Sequence, residues 1–116
     1  MINIKYRIND LELRTTKRID NTYYLEIVKW RKETNGLTDA YCFTIASFTY
    51  DKDGYPELHY CSSRPLELDS NELAIFHKLI KEGYNYRINE DNELIYYESA
   101  RNKDKELICY ENARNS

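Results

Sequence analysis

The stretch from Tyr41 to Tyr84, YCFTIASFTYDKDGYPELHYCSSRPLELDSNELAIFHKLIKEGY, constrains the fold more than any other part of the chain. It reads as strand, tight turn, strand, short loop, capped helix and glycine stop. Asp51-Lys52-Asp53-Gly54 predicts a three-residue hairpin loop with Gly54 in a bulge, since glycine takes positive φ without a Cβ clash. That loop would set Phe48 against Leu58 and Ala46 against Tyr60. Pro56 lacks a ladder donor, so its strand is expected at a sheet edge. Asp69-Ser70-Asn71-Glu72 fits a capping box and opens a helix over about 69–82. Leu73, Ala74, Phe76, Leu79 and Ile80 form its expected apolar stripe, and Gly83 its expected left-handed stop.

The N-terminal third extends the same antiparallel plan. Ile2, Ile4, Tyr6 and Ile8 alternate with polar residues, the period of a half-buried strand. Asn9-Asp10 can close a two-residue hairpin, placing Leu11 and Leu13 across from Ile8 and Tyr6, and Arg7 opposite Glu12. Arg14 to Asn21 reads as a polar turn. A strand from Thr22 to Lys32 then runs into Asn35-Gly36, a strong type I′ signal. A turn there predicts Trp30 across from Tyr41, Val28 from Phe43 and Glu26 from Ile45. It also pairs Leu25 with Ala46, Ile27 with Thr44 and Tyr23 with Phe48.

Beyond the helix, Glu93-Leu-Ile-Tyr-Tyr-Glu98 is echoed by Glu106-Leu-Ile-Cys-Tyr-Glu111. Thirteen residues is too short a period for a solenoid and suits strands of a meander preceded by Tyr84 to Ile88. The expected fold is therefore α+β: an antiparallel β-meander of about five strands, one capped helix, and a C-terminal β-hairpin or meander. At 116 residues, residues 1–116 are expected to form a single domain.

Charge narrows the function. The net charge is −3, against a basic footprint for duplex DNA. Residues 1–58 hold nine basic and nine acidic side chains, and residues 59–116 eight and eleven, so the acid excess is C-terminal. The basic group Arg14, Lys17 and Arg18 is too small to bind nucleic acid by itself and reads as a solvated turn. Cys42, Cys61 and Cys109 are an odd set without framework spacing, which suggests reduced thiols and a cytoplasmic location. No apolar run is long enough to span a membrane, and Met1 is not followed by a signal-peptide pattern.

Reaction chemistry is sparsely signalled. Cys42 and His59 could pair as nucleophile and base, but no oxyanion loop or orienting group accompanies them. His59 and Cys61, with His77 or Cys109, lack the paired loop spacing of structural zinc sites. The three glycines are not clustered, so no phosphate loop is present. No catalytic residue, metal or cofactor is expected. Tyr24, Trp30, Tyr41 and Phe43 would instead share one face of the sheet, opposite Leu25, Ile27, Ala46, Phe48 and Leu58. The small residues of the second face suit a covering helix. The aromatic face is either covered by the N-terminal hairpin, the C-terminal meander or a second copy, or it is a contact surface. Arg64, beside Pro65, could add a carboxylate or phosphate contact, or pair with Glu67.

The residues Tyr41-Cys-Phe-Thr-Ile-Ala46, the Lys52-Asp-Gly-Tyr55 turn and Arg64-Pro65 before the helix resemble a module of small uncharacterised proteins encoded by phages, prophages and other mobile elements of low-GC Gram-positive bacteria. This chain departs from that pattern at Ser62 and Ser63, where the family favours glycine and aspartate. The resemblance implies a non-enzymatic accessory protein of the bacterial cytoplasm that binds and inhibits or modulates a host protein. A defence nuclease would be such a partner, as for anti-CRISPR proteins. Tyr24, Trp30, Tyr41, Phe43 and Arg64 are the expected partner-binding residues. The competing expectations are an oligomer that sequesters a nucleotide signal between aromatics, and a thiol-dependent enzyme.

Overall fold

A computed structural model describes residues 3–32, 40–61 and 67–97. Five strands, β1 (Lys5–Ile8), β2 (Leu11–Lys17), β3 (Tyr23–Lys32), β4 (Ala40–Tyr50) and β5 (Pro56–Tyr60), pair in chain order as an antiparallel meander. Helix α1 (Ser70–Gly83) follows, then β6 (Tyr86–Ile88) and β7 (Leu94–Tyr96) as a separate two-stranded antiparallel sheet. The fold is α+β, as the sequence predicts. The Asn35-Gly36 turn and the Glu106–Glu111 echo lie outside the described residues.

Turn chemistry sets the local structure. Asn9 adopts φ 53°, and β1 pairs with β2 in the expected register, Ile8 to Leu11, Tyr6 to Leu13 and Arg7 to Glu12. Arg14 to Lys17 continue β2 rather than turning; the bend comes later, with Asn21 at φ 69° and the Asp20 carboxylate accepting from the Thr22 amide. The β4–β5 loop also matches expectation. Gly54 has φ 87°, the Asp51 carboxylate accepts from the Asp53 and Tyr55 amides, and Phe48 faces Leu58. Pro56 opens β5, which lies at the sheet edge.

The helix carries its capping box: the Asp69 carboxylate accepts from the Glu72 amide at 2.8 Å, and Glu72 accepts from the Asp69 amide at 3.1 Å. Two expectations for the helix are corrected. Its buried side chains are Phe76 and Leu79 with Ile75 and Ile80 partly packed, while Leu73 and Ala74 are exposed. Gly83 is the last helical residue and not a left-handed stop; Tyr84 follows it with helical φ of −69°. Glycine is needed at 83 because a Cβ there would overlap the Phe48 ring. The helix end thus sits directly on β4.

The β3–β4 register departs from expectation. Trp30 pairs with Cys42, Lys29 with Phe43 and Val28 with Thr44, one residue beyond the predicted alignment. A bulge between Ile27 and Val28 then shifts the register again, so Ile27 pairs with Ala46 and Glu26 with Ser47. Each single-residue shift reverses the face of the strand relative to its partner. The two shifts cancel beyond the bulge, so Leu25, Ile27, Ala46, Phe48 and Leu58 do share the helix-side core. From Val28 to Lys32 they do not cancel, which divides the predicted aromatic group.

The core holds Leu11, Leu13, Leu25, Ile27, Ile45, Ala46 and Phe48 from the sheet, Phe76 and Leu79 from α1, and Leu94 from β7. The β6–β7 hairpin is anchored where the Ile88 amide donates to the Gly54 carbonyl at 2.9 Å. Gly54 is buried, and a Cβ there would overlap the Ile88 carbonyl. Gly54→Ala therefore combines a steric clash with positive-φ strain, and is expected to cost about 3 kcal/mol in urea unfolding. Lys52→Ala, in the same loop with an exposed side chain, is expected to stay within about 0.5 kcal/mol of the parent.

Candidate functional site

Helix α1 and the β6–β7 hairpin contribute to the core on one side of the sheet. The register places Arg7, Glu12, Arg14, Thr16, Tyr24, Glu26, Val28, Trp30 and Thr44 on the other side. This second face is organised by two carboxylates that are almost completely buried, Glu12 at 3% exposure and Glu26 at 4%. A carboxylate can be buried cheaply only if charge and hydrogen bonds surround it.

Glu26 is surrounded from three strands. The Arg14 Nε donates to its Oε2 at 3.0 Å and the Thr16 hydroxyl to the same oxygen at 2.5 Å. The Thr44 hydroxyl donates to Oε1 at 2.6 Å. Burial by itself pushes the Glu26 carboxyl up, but the bonds from Thr16, Thr44 and Arg14 outweigh it and hold the group below its ordinary value. The site thus ties β2, β3 and β4 together across the sheet. At Glu12 the partner is the Trp30 indole, whose Nε1 donates to Oε1 at 2.8 Å.

Two guanidinium groups lie over the aromatic rings of this face. Arg7 sits 5.0 Å from the centre of the Trp30 ring, with its Nε donating to the Asn9 carbonyl at 2.8 Å. Arg18 sits 4.2 Å from the centre of the Tyr24 ring. Each ring is therefore half-buried with a cation over it, and its orientation is set by contacts within the chain.

Of the expected partner-binding residues, Tyr24 and Trp30 are brought onto one face. Phe43 is a correction: the register shift turns it to the helix side, where it packs on the core under the Arg31 guanidinium, 5.1 Å from its ring. Tyr41 stands opposite Arg31 in register, not opposite Trp30. Arg64 lies outside the described residues; Glu67, its suggested partner, meets Arg31 at 3.5 Å. The buried pair Glu12 and Glu26 and the stacking arginines were missed. Their sequence signal, charged residues facing each other between alternating apolar ones, is the same as that of an ordinary solvent face.

The other candidates disperse. Cys42 is across from Trp30, while His59 is across from Ser47 and shares a 2.8 Å hydrogen bond with Thr49. Five residues of strand, about 16 Å, separate those positions along β4, too far for a thiol and its base. Among the described residues no three His, Cys, Asp or Glu side chains are placed to hold a metal ion. No helix among them is long and apolar enough to cross a membrane. A groove of about 680 Å³ lies at one end of the sheet where the Arg18–Tyr23, Asp51–Tyr55 and Arg87–Asn92 turns converge. Its charged lining, Arg18, Lys52 and Arg87 against Asp51, Asp53 and Glu90, balances to zero.

The chain matches no family model, and no curated protein or solved structure is significantly similar to it.

Glu26→Gln keeps the shape but removes the charge that Arg14 compensates, and is expected to cost about 2 kcal/mol at pH 7. The folded-state value of Glu26 lies below the ordinary 4.5. Its contribution is therefore complete above about pH 4.5 and is lost as pH falls through the folded value. The difference between parent and Glu26→Gln in chemical denaturation should be constant from pH 7 to 5.5 and shrink below pH 4.5.

Proposed function

We propose that the protein is a non-enzymatic binding protein of phage type that docks on a bacterial host protein through the sheet face opposite α1. The partner in this reading is a defence effector, a nuclease foremost. One observation carries it: Trp30 and Tyr24 are held on the same face by Glu12, Arg7 and Arg18, and the partners described for them come from β1, β2 and the turn after β2. Trp, Tyr and Arg dominate the energetics of protein interfaces, and fixed rotamers lower the entropy lost on binding. The resemblance of the Tyr41–Tyr84 module to phage and prophage proteins supplies the biological setting. Dispersal of Cys42 and His59 weighs against a thiol enzyme. The rings already carrying guanidinium groups weigh against a nucleotide held between bare aromatics.

Truncating Trp30 would be a poor test, because it also leaves the buried Glu12 without its indole donor. A photo-crosslinking residue is better placed at Ser47, in register with Glu26, and as a control at Lys78 on the exposed side of α1. In lysate of a low-GC Gram-positive host, the Ser47 probe should capture one identifiable host protein that the Lys78 probe does not. The purified partner should then lose activity when the protein is added. Equal adducts from both positions, or a nucleotide released from purified protein on denaturation, would replace this reading.

A further inference from the structure

The charges on the proposed docking face are not distributed like those of the chain. The chain carries net charge −3. On the β1–β3 half of this face the carboxylates Glu12 and Glu26 are buried and engaged, while the charged side chains described near its surface include Lys5, Arg7, Arg14 and Arg18. Asp20, at the rim, is held by Thr22, whose hydroxyl donates to it at 2.6 Å.

The guanidinium groups differ in their commitments. Arg14 is paired with Glu26 at 3.0 Å, and on the helix side Arg31 is paired with Glu67. Among the described residues Arg7 and Arg18 make no ion pair, although each is positioned by an aromatic ring beneath it. Stacking leaves the edge of Arg18 and, with its Nε given to Asn9, the paired Nη groups of Arg7 open to a carboxylate, a bidentate geometry that ammonium cannot offer. Trp30 and Tyr24, which seat the two forks, are six residues apart on β3, about 20 Å at strand spacing.

Resting on the docking face proposed above, we infer that the partner presents an acidic protein surface with two carboxylate groups about 20 Å apart, one for Arg7 and one for Arg18. A continuous polyanion suits the face less well. Among the described residues the cations between the forks are Arg14, already engaged by Glu26, and Lys5, in register with it, and the path crosses above both buried carboxylates. Regularly spaced phosphates would meet a single exposed ammonium there, Lys5, above the buried carboxylates, whereas two separate acidic clusters would meet the guanidinium forks directly.

The test uses the full chain and synthetic peptides in fluorescence anisotropy at 150 mM salt. One peptide carries two Asp-Glu-Asp clusters separated by six uncharged residues; a second carries the same residues with all acids contiguous; the third probe is a twelve-nucleotide oligouridine. The spaced peptide should bind at least tenfold more tightly than the contiguous one. Arg7→Gln and Arg18→Gln should each lower its affinity about tenfold without changing the thermal unfolding midpoint by more than a few degrees, and Lys78→Gln should leave it unchanged. Equal affinity for the contiguous peptide would reduce the effect to general attraction and overturn the inference. Preference for oligouridine would make the face a nucleic-acid surface. Self-association abolished by Arg7→Gln would make it an interface between copies. If the Ser47 crosslink to the host protein survives both arginine substitutions, the docking face stands and the acidic complement falls.

Discussion

One additional residue in β4 governs how the whole sheet is used. Ile45 and Ala46 both belong to the buried core, although consecutive residues of a regular strand point to opposite faces of the sheet. The bulge between Ile27 and Val28 accommodates them, and the register on either side follows. On the β5 side of the bulge, Ala46 and Phe48 come under the helix. On the other side, Phe43 turns toward the core and Thr44 faces the opposite side, where it reaches Glu26. The apolar core and the polar network are thus two consequences of a single irregularity.

The opposite face illustrates how buried charge substitutes for a second hydrophobic layer. Glu26 draws donors from β2 and β4, so three strands are joined by side chains as well as by the backbone ladder. Such a network is expensive if any partner is missing and rigid when all are present. That rigidity extends to the rings of the proposed docking face. Trp30 and Tyr24 gain it indirectly, one through Glu12 and Arg7 and the other through Arg18.

Close backbone approach is the second constraint. Gly83 brings the end of α1 onto the Phe48 ring, which Tyr84 also meets in an edge contact at 5.3 Å. Gly54 lets the β6–β7 hairpin donate from Ile88 to the β4–β5 loop. Both contacts are made at positions where any side chain would hold the elements apart, so two glycines determine how the smaller sheet and the helix complete the core.

Local chemistry was legible in the residues themselves. Asn9-Asp10, Asp51 to Gly54 and the Asp69–Glu72 box each satisfy backbone groups within a few positions, so nearby residue types decide them. The order of strands, the edge position of Pro56 and the α+β class follow from those turns. What only the tertiary structure decided was the β3–β4 register and the faces that follow from it. Pairing Trp30 with Tyr41 and pairing it with Cys42 satisfy the backbone equally, and the choice depends on how Ile45 and Ala46 pack beneath α1. For the same reason the partners of Glu12 and Glu26 could not be read in advance: a carboxylate on a strand looks solvent-facing until its cross-strand neighbours are known. Sequence alone therefore determined the elements and their succession, while packing determined which aromatic residues could act together.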